Sequence, residues 1–359
     1  MKKRDPGLGK VDRDFLSRVL LRNTGAESGS VIVGPGIGLD NSVLDVGGGR
    51  VMVVTADPLS IIPSIGMERS AWLTVHELAS DLTTSAVRPQ FAVLEFNLPP
   101  SLKMAEFGRY AKAVSDECRR LGVSIVGGHT GRYPGSDFSI VGGGVMMGLA
   151  EADGYLTPLM MQEGDVILMT KGAAIEATAV LSLAFPLKTE EALGSRRLAE
   201  RARGYIRLCS TVEDALAASS VGIRQEGVTS MHDATEGGVL GALYELARSS
   251  GRELSVEKQR IHVSEETQAV CAAFDLDPLV TLSEGALIIT CRPEKVDGVL
   301  RELSKKGIHG FRIGLVGGRE GDEGRLSLSS AGGHARDYVP PRFDPYWRAY
   351  ANGVENGWK

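Results

Sequence analysis

Three aspartates stand where they do little for packing. Asp40 follows the glycine-rich stretch "GPGIGLD", Asp57 ends the apolar run "VMVVTAD", and Asp81 lies on the helical segment that comes next. A carboxylate at the mouth of a strand has to be solvated or paired. Several of them brought together repel one another unless a hard cation sits between them. Mg2+ takes one or two carboxylates together with phosphate oxygens, so aspartates converging beside a glycine loop fit a metal–nucleotide site. Taken singly, each aspartate fits a cap or a turn equally well.

The stretch "SIVGGHTGRYPG" (124–135) puts a histidine, a threonine and an arginine into a glycine turn directly after an apolar run. Such a turn either needs residues that tolerate positive φ, or lays its backbone against an anion. In the second reading Gly127, Gly128 and Gly131 let backbone N–H groups approach phosphate oxygens. Thr130 then adds a hydroxyl and Arg132 a charge. The stretch is neither GxxxxGK[ST] nor a dinucleotide GxGxxG. A second stretch, "HDATEGGV", sets Asp233 and Thr235 ahead of Gly237, Gly238 and a helix from about Val239. It reads as an anion site at a helix N-terminus, or as a helix capped by Thr235 with Glu236 in its first turn. Glu284 opens the buried strand "EGALIITC", where a carboxylate needs a partner such as a salt bridge. Lys171, just before a helix, is a candidate phosphate contact. His76 and His232 read as satisfied polar residues, and no Ser-His-Asp order or HExxH spacing occurs.

Regular elements must hold these residues in place. Phe15, Leu16, Val19 and Leu20 mark a first short helix, and Ala71, Val75, Leu78, Ala79 and Leu82 a second within 67–86. "QFAVLEFNLPP" is a strand closed by prolines, and 102–121 a second long amphipathic helix. "VSIVGGHTG" and "FSIVGGGVMMGLAE" follow as strands. The register changes near Leu156, where a new strand-helix series begins. It contains one long charged helical region from Glu190 to Ser220, then "HDATEGGVLGALYELARSSG", "EGALIITC", the helix "PEKVDGVLRELSKKG" and the strand "FRIGLVGG". The order suggests an α+β domain of βαβ-like units. We expect domains at 1–155 and 156–335 and a tail at 336–359. That aromatic, proline-rich tail either packs on the body or binds a partner.

Composition bounds the function. A chain of 359 residues favours two domains. Its 45 glycines are nearly twice the average share of about 7%. They sit near turns rather than in a repeat. A net charge of −5 argues against a duplex nucleic-acid binder. The basic opening lacks the apolar run of a signal peptide, and no apolar run reaches the 18 or so residues of a membrane span. Cys118, Cys209, Cys271 and Cys291 lack CxxC spacing and fit reduced core thiols, which points to the cytoplasm.

In order, "GLDNSVL", "TADPL", "SDLTTSAVRP", "GGHTG", "HDATEGGVLGALYE" and "SEGALII" resemble the aminoimidazole ribonucleotide synthetase (PurM-like) superfamily over about residues 36–318. Its members include hydrogenase maturation factor HypE, thiamine monophosphate kinase and selenophosphate synthetase, and the resemblance is strongest to HypE and HypE-related proteins. It implies a two-domain α+β PurM-like fold. The N-terminal domain would bind ATP and pair into a homodimer through a β-barrel-like sheet, and the C-terminal domain would be an α/β sandwich. It implies ATP with Mg2+ in a cleft between domains. Asp40, Asp57 and Asp81 would serve the metal, with Asp57, Asp81, Gly127, Gly128, His129, Thr130, Gly131 and Lys171 on the nucleotide. Asp233, Glu284 and His129 would be the catalytic groups. ATP would phosphorylate a substrate or activate its amide or carbonyl oxygen, so that a poor leaving oxygen becomes a good one. The substrate would be a small molecule, with or without a phosphate, or peptide-borne, and a maturation partner protein is implied.

Departures from the family pattern carry their own expectations. Leu39 replaces an acid of the usual GDDAA turn, Ser80 an asparagine, His129 an acid and Glu236 a basic residue. Fewer acids imply fewer Mg2+ ions or a reshaped site, in which His129 hydrogen-bonds phosphate or ligates a softer metal. HypE proteins carry a C-terminal cysteine that is carbamoylated and dehydrated to a thiocyanate. The sequence ends "VENGWK" and its last cysteine is Cys291, so that self-modification is not expected. The enzyme reading therefore stands beside two others, a non-catalytic nucleotide-binding scaffold and a thiamine monophosphate kinase-like phosphotransferase.

Overall fold

In the computed structural model, residues 7–319, 323–330 and 334–358 are described. Helix α1 (Arg13–Arg18), capped by the Asp12 carboxylate, leads into β1 (Val31–Val33), β2 (Ser42–Gly47) and β3 (Arg50–Ser60). Next come α2 (Met67–Thr83), β4 (Phe91–Leu98), α3 (Met104–Leu121), β5 (Ser124–Arg132) and β6 (Ile140–Glu151). The strands form one sheet in the order β1-β2-β3-β6-β4-β5. Only β4 and β5 run parallel, because α3 supplies the crossover that a parallel pair needs. Apolar residues alternate along β3, so Val51 and Val53 are buried while their neighbours are more open. They share a core with Leu78 and Leu82 of α2 and with Tyr110 and Val114 of α3.

The stretch read above as a strand with a glycine turn is, over Ser124–Arg132, the outer strand of this sheet, with no turn inside it. β5 pairs only with β4, and Ile125 and Val126 are 44% and 57% exposed. Its glycines answer to the neighbouring strand: a Cβ on Gly128 would lie 1.9 Å from the Leu94 carbonyl oxygen. The pairing register shifts just before that point. Among the described residues, β1 and β5 end the sheet without pairing with each other.

The second half begins with β7 (Val166–Thr170), whose unbroken apolar run is buried on both faces. Ile167 and Met169 join one core, Val166 and Leu168 the other. The elements that follow are α4 (Ile175–Ala184), α5 (Pro186–Leu193), α6 (Arg196–Gly204), α7 (Val212–Ser219), β8 (Val228–Ala234), α8 (Gly238–Ser250) and β9 (Arg252–Glu257). Then come α9 (Glu265–Ala273), β10 (Ala286–Cys291), α10 (Val296–Lys305), β11 (Gly310–Arg319), β12 (Arg325–Ser329), β13 (Arg336–Asp337) and α11 (Pro345–Glu355). The sheet order is β13-β12-β9-β11-β7-β10-β8, with α4 and α8 on one face and α7 and α10 on the other. The charged region expected as one helix is three. Gly194 ends α5 in a left-handed conformation, and the Ser195 hydroxyl caps α6.

Two features position the site. Helix α2 lies in the seam between the halves: Trp72 and Leu73 belong to the second core, Leu78 and Leu82 to the first. The Thr211 N–H donates to the Ser80 hydroxyl at 3.0 Å across that seam. Helix α11 packs on the body, with Tyr346 and Ala349 buried and the rings of Tyr350 and Trp358 against Phe185.

Candidate active site

The seam opens into a cavity of about 670 Å³ on whose polar wall carboxylates outnumber the basic side chains of Lys10, Arg13, His232 and Arg342. Because α2 is wedged between the two cores, it presents Glu77 and Asp81 one turn apart. β3 adds Asp57, and the loop before β2 adds Asp40. From the second half come Asp233 at the end of β8, Glu236 and Glu245 around α8, Glu176 in the first turn of α4, Glu284 ahead of β10, and Asp344 capping α11. Five residues singled out in the sequence, Asp40, Asp57, Asp81, Asp233 and Glu284, thus face one space.

Local hydrogen bonds set these side chains. The Asn41 amide donates to the Asp81 carbonyl (2.8 Å) and to Thr84 Oγ1 (2.9 Å), tying the Asp40 loop to α2. Thr55 Oγ1 lies 3.0 Å from Asp81 Oδ2 and 2.9 Å from the Asp40 carbonyl. His232 Nδ1 is 2.7 Å from Asp40 Oδ1, and its Nε2 is 3.4 Å from Glu245 Oε2. Both oxygens of Asp233 are buried without a hydrogen-bond partner. One ligand atom each from Asp40, His232 and Asp233 lies within 4.8 Å of the others.

Electrostatics follow from crowding. Burial, opposed by Lys10 and reinforced by Glu236 and Asp40, lifts the Asp57 carboxyl to about 6. Burial and then Asp40 lift Asp233 to about 7. Asp81 is pushed well above the carboxylate range by burial, Asp233 and Asp57. Burial opposes the charge of His232, but Asp40 and Glu245 outweigh it and hold the imidazolium. Glu245 goes the other way, to about 2: burial opposes its charge, and the His232 hydrogen bond and Lys10 outweigh that.

The sequence reading did not name Lys10, Glu77, Glu176, Glu245 or Asp344. Lys10 donates from its ammonium to Thr235 Oγ1 (2.9 Å) and from its backbone N–H to Glu236 (2.7 Å). Burial works against its charge, but Glu245, Glu236, Asp81 and Asp57 stabilise it more. Asp344 accepts from the Gly237 N–H at 2.7 Å and so caps α8, the place considered above for Thr235 or for an anion. Glu176 did leave a signal, a lone acid in the apolar helix "IEATAVLSLA".

Other expected residues do not line the cavity. Gly127, Gly128, His129, Thr130 and Gly131 lie on the open edge strand, and the His129 ring meets the Tyr133 hydroxyl at 2.8 Å. Arg132 donates to the Leu102 carbonyl. Lys171 is committed elsewhere as well. Its ammonium donates to the Ser210 carbonyl (2.6 Å), the Asp214 carboxylate (3.0 Å) and the Leu208 carbonyl (3.2 Å), which uses all three N–H bonds. His76 is only half satisfied: its ring stacks on Trp72 and Nδ1 lies 2.8 Å from Ser210 Oγ, but Nε2 is buried without a hydrogen-bond partner. Mainly burial lowers its pKa to about 3, so it stays neutral.

Hard oxygen donors with unpartnered buried lone pairs suit a divalent cation, and Asp233 provides two. Comparison with known proteins agrees with the fold. Residues 38–150 match the family described as AIR synthase related protein, N-terminal domain, and residues 162–327 its C-terminal domain. Carbamoyl dehydratase HypE of Rhizobium leguminosarum bv. viciae is 26% identical over 316 residues, 84% of this chain and 83% of the relative. Among solved structures, a HypE–HypF complex is similar with a TM-score of 0.70 at 18% identity, covering 91% of this chain and 99% of the other. Hydrogenase maturation protein HypE in complex with ATP gives 0.66 at 22%, covering 93% and 95%.

Proposed function

Because this chain belongs to the AIR synthase related family, with the two-domain PurM-like α+β fold, we propose that it is an ATP-using enzyme that phosphorylates a substrate or activates its amide or carbonyl oxygen. The observation that carries this reading is the meeting of Asp40, Asp57, Asp81 and Asp233 on one cavity. A bare triphosphate is repelled by such a wall, so the nucleotide has to arrive with its counter-cation. Asp57, Asp81, Asp40 and Asp233 would hold Mg2+, which supplies neutralising charge between the carboxylates and the phosphate oxygens. Lys10, held at Thr235, places one ammonium beside them.

The protein's own residues then manage position and protons. Glu284 is buried beside Asp233 and takes the proton released when the acceptor oxygen attacks phosphorus. Burial and then Asp233 raise its pKa well above the carboxylate range, so that once ionised it is a stronger base than an exposed carboxylate. Helix α11 supplies Tyr346, Trp347 and Tyr350 to the cavity wall and limits the entry of water. Gly127–Gly131 and His129 do not reach the cavity in one chain. A second copy would have to present them, and we propose a homodimer joined along the open β5 edge. A maturation partner protein, by analogy with the HypE–HypF complex, and a cytoplasmic location complete the reading.

Isothermal titration with Mg-ATP tests it. We expect wild type to bind and Asp57→Asn or Asp81→Asn to weaken binding at least tenfold, about 1.4 kcal/mol. No heat from wild type, or equal affinity in both variants, would overturn the assignment.

A further inference from the structure

Two buried glutamates of the cavity, Glu176 and Glu284, and the half-buried Glu77 do not belong to the aspartate group. Glu77 comes from α2, Glu176 from the first turn of α4, and Glu284 from the segment before β10. Glu176 is 6% exposed and Glu284 2%, and Glu284 Oε1 has no hydrogen-bond partner. Burying a carboxylate without a donor is costly, so this wall asks for a ligand rich in donors.

The protein's own cations do not meet that need. Lys10 is taken by Thr235, Arg13 by Glu245 at 3.4 Å, Arg342 by Asp12 at 2.8 Å, and His232 by Asp40 and Glu245. Among the described residues, the other basic side chains of the cavity are paired with carboxylates and Lys10 is assigned to the nucleotide, so none is given to an anionic acceptor. A second metal ion does not fit either. Among the described residues, the one group of three or more possible ligands within 4.8 Å of one another is Asp40, His232 and Asp233. Glu77, Glu176 and Glu284 do not form such a group, and the same cavity is lined by the apolar Ile62 and Leu282 and by Tyr346.

Resting on the nucleotide reading above, we propose that Glu77, Glu176 and Glu284 bind a protonated nitrogen of the acceptor, a primary ammonium or amidinium group, and so select a cationic substrate over a phosphorylated one. Several N–H donors on one charged centre satisfy separated carboxylates at once. Without a ligand, burial chiefly keeps this wall protonated. It pushes Glu176 up to about 8, and Glu77 and Glu284 well above the carboxylate range. A cation that enters displaces those protons.

Titrating the full chain with benzamidine and benzylamine, and in parallel with benzoate and phenyl phosphate, tests the proposal. The protein is held with Mg2+ and a non-hydrolysable ATP analogue, and the titration is repeated in buffers of different ionisation enthalpy. We expect the two cations to bind with proton release and the two anions not to bind. Glu176→Gln and Glu284→Gln should each weaken benzamidine at least tenfold, while Glu176→Gln keeps its affinity for the Mg-nucleotide. Should a variant fail to fold, proton release and the cation–anion preference of wild type decide alone. Anions binding as well as cations, no cation binding, or variants with unchanged affinity would overturn it. So would a loss of bound Mn2+ ions in Glu176→Gln, which would place the glutamates in the metal site. If benzamidine binds but the Mg-nucleotide does not, the nucleotide reading fails and this one stands.

Discussion

Asp233 carries the conflict between stability and function at the scale of one residue. Its oxygens are buried, unpartnered and close to Asp40, so its charge is tolerated only for what it can hold. Asp233→Asn should raise the melting temperature of the ligand-free protein at about pH 8 by a few degrees, a gap that closes well below 7, where the wild-type carboxyl is protonated. The same sign governs its neighbours. Asp57, Asp233 and Glu176 have native pKa values of about 6, 7 and 8, raised above the unfolded carboxylate range. The native state therefore binds more protons than the unfolded one, and this stabilisation is present at low pH and lost as pH rises through 6 to 8. His76, lowered to about 3, acts in the opposite sense below its unfolded value of about 6.5. Thermal unfolding in chelator should thus show a maximum on the acid side of neutrality, and added Mg2+ should flatten the loss at higher pH. A curve that keeps rising from pH 6 to 8.5 in chelator would refute the description. Much of this acidic group was legible in the sequence, because a carboxylate that ends an apolar run has no packing role. Lys10 was not legible, since its partner Thr235 is 225 positions away.

Elements explain what the glycines of one motif do within the chain. Glycine serves a tight turn and a close strand approach equally well, and sequence does not say whose carbonyl the missing Cβ would strike. On β5 it is the Leu94 carbonyl of the neighbouring strand. Gly128→Ala should therefore loosen the β4–β5 pairing, with a stability loss of roughly 1–3 kcal/mol read by denaturant unfolding. Helix α11 makes the complementary case. Its aromatic residues left packing on the body and binding a partner both open; the helix packs, and its docking point is a carboxylate. Asp344 accepts from the Gly237 N–H, the Thr281 hydroxyl (3.2 Å) and the Tyr346 N–H (2.8 Å). Asp344→Ala removes the cap of α8 and of its own helix together. We expect a loss of about 1–2 kcal/mol and faster proteolysis within 341–355, with the two sheets intact. Unchanged proteolysis would show that the aromatic contacts alone seat the helix.

At the scale of the whole molecule, two sheets with separate cores share α2 as a common beam, which is why residues far apart in the chain meet in one cavity. Two halves of mixed helix and strand were readable from periodicity; the seam was not, because Trp72 and Leu82 look alike as apolar positions yet serve different cores. The open β5 edge carries the last prediction. Val126→Lys should shift the protein from dimer to monomer in light scattering, and a wild type that is already monomeric at micromolar concentration would remove the dimer proposal. The two ends of the described chain also meet over the cavity. Asp12 pairs with Arg342, and Gly9 packs so closely on Trp347 that a Cβ there would lie 2.5 Å from its indole nitrogen. A pocket walled by residues 8 to 351 has no partial version during synthesis. Without α11 docked, the acidic groove loses one flank, so a chain cut before residue 341 should bind neither nucleotide nor substrate.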